Sequence, residues 1–278
     1  MTAILAIDAA WTATEPSGVA LVCSDGTGWR CVTAAPSYDA FIAVATGNNI
    51  PWSQASFPGA APDVPNLLSA AHQLAGSPVD LITIDMPVAT VPITSRRAAD
   101  NAISAEFGSR WCSTHNPNPS RPGPLGSTLT KALKVAGFPL ATCSPRDVRT
   151  PCMLEVYPHP ALLSLLNRPR RVPYKVGKSI SYWPTLTLKE RIEKLHTEFV
   201  AIHKKLTVCF GPLNVPLPEP LNVQTLASLK RYEDTLDALV CAWVGVQFLE
   251  GRTVALGDDT AAIWCPRDVV LQKPNKSD

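Results

Sequence analysis

Two short apolar runs in this chain each stop on an aspartate. Ala3 to Ile7 leads into Asp8, and residues 79–84 (VDLITI) lead into Asp85. Runs of five or six mostly apolar residues have the length of buried strands and are too short for core helices. The terminal acid is the constraint. Inside a sheet it is a buried charge with a heavy desolvation cost. At the carboxyl edge of a parallel sheet it lies where α/β folds place their sites. If these two strands run parallel and side by side, Asp8 and Asp85 emerge at the same edge.

The remaining pattern supplies the rest of such a sheet. Gly18 to Cys23 (GVALVC) and Trp29 to Thr33 read as the second and third strands, with Ser24-Asp25-Gly26 as a turn, so residues 3–33 form a meander. Tyr38 to Ala45 and Asn66 to Ala75 read as helices, the latter with Leu67, Leu68, Ala71 and Leu74 on one side. Met153 to Tyr157 is a fifth strand carrying Glu155, and a helix starts at Pro158. Lys189 to Leu206 is amphipathic, with Ile192, Leu195, Phe199, Ile202 and Leu206 at helical spacing. Gln224 to Glu250 reads as a long helix, and Thr253 to Cys265 as a closing hairpin turning at Gly257-Asp258-Asp259. Two more helices, over 95–107 and near 127–136, interrupt a segment rich in Pro, Ser, Arg and Gly. The order βββαβαβα predicts one α/β domain over 1–278. It has a mixed five-stranded sheet, helices on both faces, and Pro-rich, basic peripheral insertions at 92–150 and 167–222.

Composition excludes several classes. Apolar residues are 46% and charged residues 17%, so the chain can bury a core and global disorder is not expected. The longest strongly apolar run, Ala238 to Val246, is about half of the roughly 18 residues a membrane span needs. The apolar start carries no basic lead and no cleavage site, so no secretory signal is expected. The eight cysteines show no C-x-x-C pair and read as reduced thiols of a cytoplasmic protein. The net charge of +2 conceals an asymmetry: residues 96–206 hold 18 Lys/Arg against 7 Asp/Glu, and the remainder is acidic. A basic middle on an acidic remainder fits either a polyanion partner or a solvated surface with chance clustering.

Three further acids stand where a core prefers apolar residues. Asp234 and Asp237 are three residues apart on the long helix, and Asp237 shares its face with Val240, Cys241, Val244 and Phe248. Glu155 lies inside LEVYPHP. Carboxylates gathered together repel and raise one another's pKa unless cations compensate them. The economical resolution is one or two hard divalent cations, Mg²⁺ or Mn²⁺, on oxygen ligands, able to activate water for phosphodiester hydrolysis. Taken singly, Asp8 also fits a turn cap, Asp85 an ion pair with Arg96 or Arg97, Asp234 a solvated helix acid, and Glu155 a structural acid. Together, Asp8, Asp85 and Asp237 are harder to explain that way.

Six segments carry a family resemblance. They are I-D-A-A-W (7–11), P-S-G-V-A (16–20), I-D-M-P (84–87), R-R-A-A-D (96–100), E-V-Y-P-H-P (155–160) and D-T-L-D-A-L-V-C-A-W (234–243). The chain resembles the predicted RNase H-like nucleases of bacteria and archaea, over nearly its whole length. D-x-x-D-A-L is also similar to the end of Holliday-junction resolvases. The resemblance implies a ribonuclease H-like fold with the first and fourth strands side by side and the last long helix delivering its acid to them. It implies Asp8, Asp85 and the pair Asp234/Asp237 as metal-binding acids, and a nucleic-acid substrate.

Other side chains offer substrate contacts. Trp11 fits a base stack or a buried loop anchor. His159 fits a proton carrier or phosphate contact, or a helix-start histidine. Arg96, Arg97, Arg170, Arg171, Lys175 and Lys178 suit phosphates. Cys112 and His115 lack a second pair for zinc, and no P-loop or strand-linked G-x-G-x-x-G occurs. The competing functions are an ATP-dependent phosphotransferase of the actin and sugar-kinase kind, for which the chain is short, and a non-catalytic nucleic-acid-binding module.

Overall fold

A computed structural model describes residues 1–54, 56–144 and 148–271. The strands are β1 (Thr2–Asp8), β2 (Gly18–Ser24), β3 (Trp29–Ala35), β4 (Leu81–Asp85), β5 (Cys152–Val156), β6 (Thr253–Gly257) and β7 (Ala262–Pro266). The helices are α1 (Tyr38–Ala45), α2 (Val64–Ala75), α3 (Ala98–Phe107), α4 (Pro124–Val135), α5 (Pro158–Leu165), α6 (Ser179–Tyr182), α7 (Leu188–Phe210), α8 (Lys230–Leu249) and α9 (Arg267–Leu271). All strands lie in one mixed sheet, ordered β3-β2-β1-β4-β5-β7-β6. β1 pairs antiparallel with β2 and parallel with β4, and β4 pairs parallel with β5.

The sheet has seven strands where five were expected. The difference is the C-terminal hairpin. β7 docks parallel on β5 through Glu155↔Ile263 and Val156↔Trp264, and β6 closes the edge antiparallel to β7. The buried run Ala262–Pro266 has apolar residues on both faces, the signature of an interior strand.

Strand alternation divides the core. Ile4 and Ala6 of β1 point to the face covered by α8 and α7, while Ala3, Leu5 and Ile7 point to the face covered by α1, α2 and α4. α7 starts at a Thr187/Glu190 capping box and buries Ile192, Leu195, Phe199, Ile202, Leu206 and Phe210. Each such side chain contributes roughly 1.5–3 kcal/mol on leaving water. α7 runs one turn past its expected end because Phe210 continues the stripe, and it stops at Gly211, whose φ is 68°. α8 starts at Lys230 rather than Gln224, because the preceding residues fold into single turns over Pro220–Asn222 and Leu226–Leu229. Residues 231–246 of α8 are buried all round, between the sheet and α7.

α8 lies unusually close to the sheet. A Cβ on Gly18, the residue paired with Asp8, would stand 2.1 Å from the Asp234 carbonyl oxygen. A Cβ on Gly245 would stand 3.0 Å from methyls of Ile4 and Thr83. These two glycines let the helix settle against β1, β2 and β4, and so bring Asp234 and Asp237 to the end of β1.

Among the described residues no helix is long and apolar enough to cross a membrane.

Candidate functional site

β1 and β4 end together, and the register of the parallel pair sets Asp8 opposite Asp85. Neighbouring strands lie about 4.7–4.9 Å apart, so two carboxylates leave adjoining backbones at one sheet edge. By alternation both point to the α8 face, Asp8 with Ile4 and Ala6, Asp85 with Leu81. Neither carboxylate makes a hydrogen bond or ion pair with another described residue. Burial pushes Asp8 up to about 7, with Lys175 opposing the rise and Asp234 adding to it. Burial, and then the charge of Asp8, holds Asp85 well above the usual carboxylate range.

The acids of α8 are differently placed. Asp237 is fully buried. Its Oδ1 accepts the Tyr174 hydroxyl proton at 2.6 Å, and its Oδ2 accepts from the Lys175 ammonium. Glu233 accepts from Lys230 at 3.1 Å through Oε1 and from the Val176 amide at 2.5 Å through Oε2, and Lys175 lies 3.4 Å from its Oε1. Asp234 accepts from Lys230 through Oδ1. Burial pushes Asp234 and Asp237 up to about 6 against the pull of Lys230 and Lys175 respectively. Burial also acts to raise Glu233, but its two lysines outweigh it and hold the group below its ordinary value. Despite its burial, the acids around Lys175 hold its ammonium well above the ordinary lysine range. Among the described residues no group of three or more His, Cys, Asp or Glu side chains is arranged to hold a metal ion together. Lys175 and Lys230 pair with the helix acids and make no ion pair with the strand acids.

Glu155 belongs to a separate network. It pairs in register with Ile84, one residue before Asp85, and so points to the opposite face. Arg97 binds it through two nitrogens at 2.6 and 2.7 Å and binds Asp100 at 2.8 and 3.0 Å. The Arg97 guanidinium also donates to the Val88 carbonyl at 2.6 Å, and the Val88 amide donates to Glu155 at 3.1 Å. All three charged side chains are buried. The network locks Met86-Pro87-Val88, the loop that follows Asp85. Burial raises the Glu155 pKa, with Arg97 opposing.

A cleft of about 610 Å³ opens over the sheet edge, lined by Asp8, Asp85, Asp234, Glu233 and Glu155 on its acidic side. Its other walls carry Arg121, Arg171, Lys175, Lys178 and Lys230, with Trp11, His115 and Tyr157. The Arg121 guanidinium lies 5.8 Å over the Trp11 ring, and His115 meets Trp11 edge-on at 6.3 Å. Trp11 sits on the β1–β2 loop, which Ser17 ties down by accepting from the Ala10 amide at 3.0 Å. His159 is 4% exposed, packed edge-on to Tyr157 and Tyr174, and its Nδ1 is buried without a partner. Burial holds its pKa well below 6.5, so the ring is neutral.

The structure therefore gathers Asp8, Asp85, Asp234, Glu155, Trp11, Arg97, His159, Arg171 and Lys175 around one cleft, Glu155 and Arg97 within their own ion-pair network. Asp237 lies behind Lys175 and does not line it. Two expected phosphate contacts are engaged elsewhere. Arg97 is committed to Glu155 and Asp100. Arg96 turns onto α3, where it bonds Asn101 and the Asp100 carbonyl at 2.7 and 2.8 Å. Sequence reasoning missed Glu233, Lys230, Tyr174, Arg121 and Asp100. The signal for the first two was present, since Lys230 precedes Glu233 and Asp234 by the three and four residues of helical ion pairs.

An acid-lined cleft at the carboxyl edge of a mixed sheet defines the class: an α/β protein with its candidate site at the strand ends. The chain belongs to the family described as protein of unknown function (DUF429), whose model matches residues 7–262. No curated protein and no solved structure matches the chain.

Proposed function

We propose that this chain is a divalent-metal-dependent nuclease built on a ribonuclease H-like core, hydrolysing phosphodiester bonds of a nucleic acid. One observation carries the reading. Two carboxylates without a partner among the described residues, Asp8 and Asp85, stand on adjoining ends of the central parallel strands and open into a cleft whose other walls are cationic and aromatic. The order β3-β2-β1-β4-β5, with the acid of a long helix beside β1, supports the fold assignment.

The donor set fits Mg²⁺ or Mn²⁺: hard oxygen ligands, raised pKa values that a cation would reverse, and room in the cleft for water and phosphate oxygens. Asp8 and Asp85 would hold the ion, which would supply an activated water and charge stabilisation at the phosphate. Arg171, Lys178 and Arg121 meet the phosphate backbone. Trp11, already carrying Arg121 on its ring, offers a face to a base. His159, neutral and with Nδ1 free, is poised to accept or relay a proton. The eight cysteines are all unpaired, which supports a reducing, cytoplasmic setting.

The test is cleavage of labelled single-stranded, duplex and branched DNA and RNA with Mg²⁺ or Mn²⁺. Metal-dependent cleavage that disappears in Asp8→Asn and Asp85→Asn is the expected result. A folded wild-type chain that cuts none of these substrates with either metal contradicts the reading.

A further inference from the structure

Resting on the nuclease reading, we propose that the site takes a single divalent cation, on Asp8 and Asp85, and that the Lys175 ammonium fills the place a second cation would hold. The oxygens decide this. A hard divalent ion collects about six oxygen ligands, several of them water. Asp8 and Asp85 offer carboxylates with no hydrogen-bond or ion-pair partner among the described residues. The helix acids do not. Both oxygens of Asp237 are engaged, one by Tyr174 and one by Lys175. Both oxygens of Glu233 are engaged, by the lysines and by the Val176 amide. Asp234 keeps one oxygen clear of Lys230.

An ion reaching Asp237 would have to displace the Lys175 ammonium from one oxygen or the buried Tyr174 hydroxyl from the other. Lys175 already sits at that boundary, 21% exposed, with its ammonium on Asp237 and Glu233 and its side chain lining the cleft. An ammonium there compensates the buried acids, with Asp237 and Glu233 taking the place of hydrating water, and on the cleft side it faces the negative charge that a phosphodiester brings in. Tyr174 and Asp237 act on it as positioning residues.

The experiment is Mn²⁺ titration of the full chain, with free Mn²⁺ read by electron paramagnetic resonance. The wild type is expected to bind one ion per chain. Two ions of comparable affinity overturn the proposal and leave the nuclease reading standing, whereas no bound ion removes that reading itself. Lys175→Gln frees Asp237 Oδ2 and removes a positive charge from beside Glu233, so this variant is expected to bind a second ion, and a count that stays at one overturns the role given to Lys175. Where the variant does not fold, the wild-type count decides alone.

Discussion

Glu155 shows how one residue of phase separates a structural acid from a candidate ligand. Its place in a strand that neighbours β4 is visible in the sequence, but its parity is not. That depends on β5 pairing so that Glu155 meets Ile84 rather than Asp85, a register set by long-range packing. Because Arg97 bridges two buried acids, Arg97→Met orphans both. It should destabilise the fold by about 3–5 kcal/mol in urea denaturation, and Arg97→Lys should recover little, since a single ammonium lacks the two-sided fork. A change within about 0.5 kcal/mol, the range of ordinary surface sites, would return Arg97 to the substrate. The cleft acids and Asp237 behind them make a pH prediction. Asp8, Asp85, Asp234 and Asp237 all have folded pKa values above the unfolded value of about 3.9. Between there and neutrality the folded chain binds more protons at these groups, so the stability they contribute falls as pH rises. His115, His159 and His203, whose pKa values burial lowers, act in the opposite sense, but the raised acids, which include Glu155, outnumber them, and the lowered Glu233 acts only below this range. The melting temperature without divalent ions should drop from pH 5.5 to 7.5, and the gain on adding Mn²⁺ should grow over the same range, because binding releases protons. A rising metal-free profile would contradict the burial of this cluster.

Elements were legible where a local signal fixes them. α1 has the expected bounds, Tyr38–Ala45, because Ser37 caps it. β1 and β4 end on their aspartates. The hairpin was legible as a hairpin, but its docking on β5 was not, since parallel pairing is specified by the core it helps to build. The approach of α8 was also hidden, because a glycine in P-S-G-V-A carries no mark of what lies above it. Gly18 now has a reason. Gly18→Ala drives a methyl into the Asp234 carbonyl and must push β2 from α8. We expect a loss of about 3 kcal/mol, the upper range for overpacking, together with weaker Mn²⁺ binding at Asp8 next to it. An alanine accepted without cost in a chemical melt would mean that α8 sits further from the sheet.

For the molecule as a whole, the charge asymmetry becomes spatial. The basic segment 96–206 supplies Arg121, Arg171, Lys175 and Lys178 to the walls of a cleft whose floor is acidic. Strand-end acids at a common edge and a basic middle segment could be read from the sequence. The division of labour among the cations could not, since Lys175 in the cleft wall is tied to the buried Asp237 and Glu233, while Lys178, three residues on, also lines the cleft and makes no ion pair with a described acid. Nucleic-acid binding by the uncleaving Asp8→Asn chain should weaken steeply with salt, and Arg121→Ala and Lys178→Ala should each lower the salt slope by about one. Binding indifferent to salt would count against a polyanion. The central claim is that Asp8 and Asp85 form a cation site, and anomalous diffraction from Mn²⁺-soaked crystals tests it most directly. The account predicts one peak between these two carboxylates, with Lys175 still on Asp237. A map with no peak there, or with manganese only at Asp237 and Glu233, would contradict it.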